Sequence, residues 1–244
     1  MDEHKDSLLV SEIFGHTIQG EGSSCGVQAT FLRLGGCNQH CIWCDTPYTW
    51  DWTGKNGMTY DQKKELRWMT FDEIADRLLA CSVSPSTMLV VTGGEPLLQT
   101  RGLLFFLAGL ALHEYFPLRI EIETAGTIWS DCFSSLVHFN VSPKLENSGN
   151  PLSLRYHPKV LEQFVKSQHA IFKFVVCSVD DLLEVDQIVA DLSIPKNLVW
   201  IMPEAKTDDI LTGRFSEISE TVIDRGYNLS PRFQVELWGN RRGV

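Results

Sequence analysis

The stretch FLRLGGCNQHCIWCDT, Phe31–Thr46, joins a short apolar run to a glycine-opened polar loop that holds three cysteines, Cys37, Cys41 and Cys44. Four other short apolar runs end in the same abrupt way. Val91 leads into TGGEP, Ile122 into ETAGT, Val141 into SPK and Ile201 into MPE. Functional loops of open α/β sheets gather at the carboxyl ends of the strands, so five chemically loaded loops predict one pocket on one rim.

Working outward, the apolar runs are β-branched or aromatic and alternate with longer segments of helical period, which predicts an α/β fold with a mainly parallel sheet. Strands are expected at 29–34, 88–92, 118–123, 137–141, 171–176, 198–202 and 233–237, and helices at 71–81, 100–115, 159–167, 180–191 and 208–225. Thr70 with Glu73 forms a capping box, and Ser178 with Asp180 and Asp181 suits the positive end of another helix. Gly226 marks a helix stop. Residues 51–67 lack an apolar period and read as a polar surface excursion. No linker, repeat or low-complexity tract divides the chain, so residues 1–244 are expected to form a single domain.

A hydrophobic fraction of 43% and a charged fraction of 21% place the chain among ordinary globular proteins. Its net charge of −10 argues against a nucleic-acid partner, which needs clustered Lys and Arg to displace counterions, and favours a small-molecule substrate. The start, MDEHKDSLLV, lacks a basic n-region, and the apolar stretch 103–112 is too short to span a bilayer, so the expected location is cytoplasmic, away from membranes. The seven cysteines are an odd number, three clustered and four (Cys25, Cys81, Cys132, Cys177) scattered through apolar sequence. That distribution suits a reducing compartment with a metal or cluster site and core thiols.

A C-x3-C-x2-C loop can wrap an iron–sulfur cube with three thiolates and leave the fourth iron without a protein ligand. Zinc is the rival, with His40 completing a Cys3His set, but His40 adjoins Cys41 directly and no second ligand knuckle occurs in the chain. A metal-free thiol cluster sits badly with the polar loop residues Gly35, Gly36, Asn38 and Gln39.

The order and spacing of the cysteines, with the strand before them, resemble the radical S-adenosylmethionine (SAM) superfamily, and TGGEP lies where that superfamily carries a GGEP-like motif. The resemblance implies a [4Fe-4S] cluster whose open iron is chelated by SAM. One electron then cleaves the sulfonium, and the 5′-deoxyadenosyl radical removes hydrogen from a substrate. At TGGEP, a glycine backbone edge can hold the amino group of SAM and Glu95 can supply a carboxylate.

Within the superfamily, EIFGHTIQGEG, FLRLGGCNQHCIWCDT, TGGEPLLQ, ETAGT, VSPK, MPE and the terminal WGNRRGV together resemble the 7-carboxy-7-deazaguanine synthases over almost the whole chain. That family implies a reduced, partial (β/α) barrel with a modified radical SAM core, assembled as a homodimer. It implies a carbon–nitrogen lyase that contracts 6-carboxy-5,6,7,8-tetrahydropterin to 7-carboxy-7-deazaguanine with release of ammonia, in queuosine and 7-deazapurine biosynthesis. SAM is regenerated, and a reducing partner such as flavodoxin or ferredoxin supplies the electron.

Carried onto this sequence, the resemblance gives Cys37, Cys41 and Cys44 to the cluster and Thr46 to Mg2+, a hard cation that keeps most of its water. Ile18, Gln19, Gly20, Arg33 and Thr92 fall to the substrate. Arg33 offers a fixed fork for a carboxylate, and Gln19 an amide for the pterin edge. SAM takes Trp43, Gly94, Ser142, Pro143, Lys144, Met202, Pro203 and Glu204, with Glu123 and Thr124 as further polar contacts. Ala125 and Gln234 stand where many relatives have Asn and His.

The nearest rival, a glycyl-radical activase, needs no pterin-binding turn and often adds cysteine pairs that this chain lacks. An iron–sulfur electron carrier would want a fourth cysteine ligand, and a zinc module would be colourless.

Overall fold

The computed structural model describes residues 6–84, 86–114, 116, 117, 119–133, 137–239 and 241–244. Strand β1 (Ser7–Ile18) runs antiparallel to β2 (Gln28–Leu34). After the cysteine loop come a one-turn helix α1 (Gln62–Glu65), β3 (Arg67–Thr70) and α2 (Phe71–Ala80). Next are β4 (Met88–Gly93), α3 (Thr100–Leu110), β5 (Arg119–Thr124) and β6 (His138–Val141). The helices α4 (Leu152–Arg155) and α5 (Pro158–Ser167) lead to β7 (Ala170–Val176), then α6 (Asp181–Leu192) and β8 (Val199–Pro203). The chain closes with α7 (Asp208–Asp224), β9 (Asn228–Leu229) and α8 (Phe233–Trp238).

These strands form one sheet in the order β3-β1-β2-β4-β5-β6-β7-β8-β9. Among the described residues, only β1 pairs antiparallel with its neighbours, and the pairings from β2 to β9 are parallel. The sheet is mainly parallel and does not close, which makes the fold a partial (β/α) barrel.

Period-two alternation explains how the sheet divides its residues. Leu32, Leu34, Leu89, Val91, Ile120, Ile122, Phe139, Val141, Phe172, Phe174, Val199 and Ile201 point one way, into the main core. Against them lie the apolar stripes of the helices, such as Leu103, Phe106, Leu107 and Leu110 of α3 and Leu182, Val185, Ile188 and Leu192 of α6. Each such side chain contributes about 1.5–3 kcal/mol on burial. The intervening residues, among them Arg33, Thr92, Glu123, Asn140 and Lys173, face the concave side and line a cleft.

Thr70 and Glu73 form the expected capping box, and Gly226, at φ +74°, follows the end of α7. Tyr115 and Leu118, at the edges of an expected helix and strand, lie outside the described residues. Four expectations are corrected. Residues 233–237 are helical, although F-Q-V-E-L alternates like a strand. No sheet edge receives them, the Phe233 amide donates instead to the Gly20 carbonyl (3.0 Å), and Val235 packs with Ala205 and Leu211. The segment before β2 is itself strand β1, bent by register irregularities near His16, at φ 61°, which break the alternation. Within 51–67, Asp51 and Leu66 are buried, and the segment ends in α1 and the start of β3. At α6, neither Ser178 nor Asp180 caps the helix. Asp181 turns back to accept from the amides of Cys177 (2.6 Å) and Ser178 (3.2 Å), fixing the loop that precedes it. No helix among the described residues is long and apolar enough to cross a membrane.

Candidate active site

A cleft of about 480 Å³ opens at the carboxyl ends of the strands. All five loops anticipated on that rim contribute to its wall, from the cysteine loop after β2 to Met202 and Glu204 at β8. Cys37, Cys41 and Cys44 face it together, with Trp43 and Thr46 beside them. Burial raises all three thiols, Cys37 to about 12. An N–H group points at each sulfur: the Gln39 amide at Cys37 (3.4 Å), the Asn150 side-chain amide at Cys41 (3.3 Å) and the Trp50 indole at Cys44 (3.4 Å).

The TGGEP turn holds this loop in place. The Gly94 amide donates to the Leu34 carbonyl (3.2 Å) and the Glu95 amide to the Gly36 carbonyl (2.8 Å). A Cβ at Gly93, which sits at φ +136°, would collide with Leu34 backbone, and one at Gly94 would collide with the Gly36 carbonyl. The paired glycines therefore let two backbones meet. Glu95 departs from expectation, because it is fully buried and absent from the cleft wall. Its carboxylate accepts from the amides of Leu97 (3.0 Å) and Ala125 (2.8 Å) and from the Thr124 hydroxyl (2.9 Å), which ties the ends of β4 and β5 together.

Across the cleft, Glu123 gathers two anticipated residues. It accepts from Gln19 Nε2 (3.0 Å) and from the Thr92 hydroxyl (2.7 Å). Ile18 and Gly20 share the same wall. Arg33 lies 5.5 Å over the Phe14 ring and donates from Nε to Glu12 (2.9 Å). Burial works against the Arg33 charge, but Tyr48, Glu12, Asp45 and Glu123 outweigh it and hold the guanidinium firmly cationic. Glu12 also accepts from the Tyr48 hydroxyl (3.0 Å) and from Arg242, whose guanidinium stacks 3.8 Å from the Tyr48 ring centre. Residues 241–244 thus lie along the cleft wall.

Toward the cysteine loop, Lys144 Nζ donates to the Ser142 carbonyl (2.8 Å) and hydroxyl (2.9 Å), 5.9 Å from the Trp43 ring. Trp43 anchors its indole on the Asn147 carbonyl (3.0 Å). Glu204 pairs with Arg214. Of the anticipated residues, Ile18, Gln19, Gly20, Arg33, Cys37, Cys41, Trp43, Cys44, Thr46, Thr92, Gly94, Ser142, Lys144, Met202 and Glu204 line this one cleft, whereas Pro143 and Pro203 do not.

Sequence reasoning missed a buried charge network on the floor. Glu21 accepts from Lys173, from Arg232 (3.0 Å) and from Gln234 (2.5 Å), and Arg232 reaches Asp45 (2.6 Å). Burial alone would raise the Glu21 carboxyl, but Lys173 and Arg232 bring it down to about 2. Of its members only Lys173 stood out in the sequence, as a single charge inside the apolar strand FKFVV, and only the fold shows that its face is the inner one.

The three thiols fit the iron–sulfur cluster expected from the sequence. Three soft thiols share one wall with N–H donors aimed at their sulfurs, as charge-bearing thiolates would require. Among the described residues, no three His, Cys, Asp or Glu side chains are grouped as a site for a metal ion. The thiols instead border a cleft with room for a larger body.

Comparison with known proteins agrees with this geometry. Residues 32–141 match the Radical SAM superfamily. A 7-carboxy-7-deazaguanine synthase of Pyrobaculum aerophilum is 36% identical, over 97% of this chain and 97% of its own length. The Bacillus subtilis protein of the same name is 32% identical, over 97% and 98%. Among solved structures, QueE from Escherichia coli superposes with a TM-score of 0.66 at 27% identity, covering 92% of this chain and 93% of that one.

Proposed function

Because the chain belongs to the 7-carboxy-7-deazaguanine synthases, radical SAM lyases of 7-deazapurine biosynthesis, we propose that its cleft contracts 6-carboxy-5,6,7,8-tetrahydropterin to 7-carboxy-7-deazaguanine, releasing ammonia. The observation that carries this is the meeting, in one cleft, of three thiols with the Arg33 guanidinium and an amide–hydroxyl–carboxylate edge.

Cys37, Cys41 and Cys44 would hold the [4Fe-4S] cluster, which together with SAM would supply radical hydrogen-abstraction chemistry. Trp43, Gly94, Ser142 and Lys144 form the wall nearest the cysteine loop. There the Lys144 ammonium offers a counter-charge for the carboxylate of SAM, and the Gly94 backbone a close edge for its amino group. Met202 and Glu204 extend this wall at β8, with Pro143 and Pro203 shaping the turns behind it.

Arg33 binds the substrate carboxylate, oriented by Glu12 through its Nε edge. Glu123 has lone pairs to spare beyond those that Gln19 and Thr92 occupy, and reads the N–H groups of the pterin edge. Ile18 and Gly20 frame that edge. Thr46, on the cleft wall, would offer its hydroxyl to Mg2+, which would supply positive charge for substrate oxygens. The crossing loop at Gln19–Glu21 and the tail at 241–244 border the cleft and limit its water. An external donor delivers the electron, for which flavodoxin or ferredoxin is suited, and the chain assembles as a homodimer, readable by sedimentation.

The decisive experiment is anaerobic reconstitution with iron and sulfide, followed by SAM, Mg2+, reductant and the carboxylated tetrahydropterin. Deazaguanine product is expected. An intact cluster with no product rejects the substrate assignment. Cys41→Ala should lose bound iron as well as turnover, and retained turnover would remove the cysteine loop from the chemistry.

A further inference from the structure

We propose that Trp50 and Asn150, neither of them a cluster ligand, set the reduction potential of the iron–sulfur centre by donating hydrogen bonds to the sulfurs of Cys44 and Cys41. The proposal rests on the assignment of those cysteines to the cluster.

Both donors are built into place. Trp50 is 7% exposed, and its amide closes the turn after Pro47 (3.0 Å) while the His40 ring meets its indole edge-on at 4.9 Å. An indole N–H can only donate, so its 3.4 Å contact with Cys44 Sγ has one sense. Asn150 is 6% exposed, and its Oδ1 accepts from the His40 amide (2.9 Å). That bond fixes which end of the side chain is which, and it turns the NH2 group toward Cys41 Sγ (3.3 Å) and Ser148 Oγ (3.2 Å). Among the described residues, Cys37 receives only a backbone donor, from Gln39. Two of the three sulfurs therefore receive side-chain donors, Trp50 from just beyond the cysteine loop and Asn150 from a distant segment.

The physical effect follows from charge. Reduction adds one negative charge, part of which spreads onto the thiolates, so an N–H dipole aimed at a sulfur stabilises the reduced cluster more than the oxidised one. In a buried site that preference is weakly screened. Removing a donor makes the centre harder to reduce.

The test is a potentiometric titration of the reconstituted holoenzyme, followed by electron paramagnetic resonance, on the parent, Trp50→Phe and Asn150→Asp. Trp50→Phe keeps an aromatic ring, a smaller one, and drops the N–H. It should lower the reduction equilibrium about tenfold, about 59 mV for one electron. Asn150→Asp keeps the acceptor for His40, drops the donor and adds a charge, so its fall should be the larger. In Trp50→Phe, one exchangeable-proton coupling to the reduced cluster should also vanish from the electron–nuclear double resonance spectrum. Midpoints equal to the parent's at full iron and sulfide content would overturn the proposal, and if Asn150→Asp fails to hold its cluster, Trp50→Phe decides alone. A parent that binds no cluster would refute the cysteine assignment instead, a result that the iron and sulfide analysis reads separately.

Discussion

Arg33 shows what one residue can and cannot disclose before a fold is known. A cation inside FLRLGG, just ahead of the cysteines, stood out in the sequence, but its partner Glu12 did not, because the pairing depends on the β1–β2 register that sets Glu12 opposite Arg33. Lysine at this position keeps the charge and loses the planar fork. Arg33→Lys should raise KM for the carboxylated substrate about tenfold, the worth of a charged hydrogen bond, with a smaller change in kcat under steady-state assay. A fall in kcat at constant KM would instead make Arg33 part of the chemistry. Glu95 and Glu123 teach the complementary lesson. Both look available in sequence, yet Glu95, past the end of β4, is spent on two amides and a hydroxyl, while Glu123, inside β5, faces the cleft by strand alternation. The direction of Glu95 is decided by backbone conformation past the strand end, and nothing in the residue types records it.

At the scale of elements, the strands and helices that bury a continuous stripe were readable from period alone, and β2, β4, α2 and α6 lie within a residue or two of their expected bounds. The failures have a common cause. Residues 233–237 and the segment that became β1 carry mixed patterns whose outcome is set by what lies beside them, an edge strand in one case and the Gly20 carbonyl in the other. Two tests belong here. Thr70→Ala removes one half of the capping box on α2 and should cost about 1 kcal/mol in urea unfolding, since Thr70 Oγ1 accepts from the Glu73 amide at 3.2 Å. Gly94→Ala places a methyl group against the Gly36 carbonyl and the Cys37 Cβ, and should displace the cysteine loop. The expected result is reduced iron incorporation at near-normal helical content by circular dichroism; full incorporation would show that the turn tolerates the added atom.

For the molecule as a whole, the concave face is the part that sequence conceals, because its charges come from distant segments and cancel only on folding. Glu21 lies in the β1–β2 connection, Lys173 in β7 and Arg232 after β9. The Glu21 carboxyl falls from an ordinary 4.5 to about 2 in the folded state, since Lys173 and Arg232 overcome the opposing effect of burial. A group with a depressed folded pKa contributes stability that is fully present above its unfolded value and is lost as pH drops through the folded one. The contribution of Glu21 should therefore fade between pH 4.5 and 2. Glu21→Gln should cost about 3–5 kcal/mol at neutral pH, because it strands buried cations. It should also flatten the acid limb of stability against pH, measured by urea unfolding at successive pH values. An acid limb as steep as the parent's would exclude this network as its source.

Among the described residues, the first and last strands of the sheet are not joined by a backbone ladder. On the β9 side the connection after β1 is tied by separate bonds, its Gly22 amide donating to Ser230 Oγ (2.7 Å) and its Gly20 carbonyl accepting from Phe233. A seam sewn with separate stitches fails differently from a zip. Each bond can part without its neighbours, so the perimeter can widen on this side by small local steps, where a fully laddered ring would have to shear a whole row of amides at once.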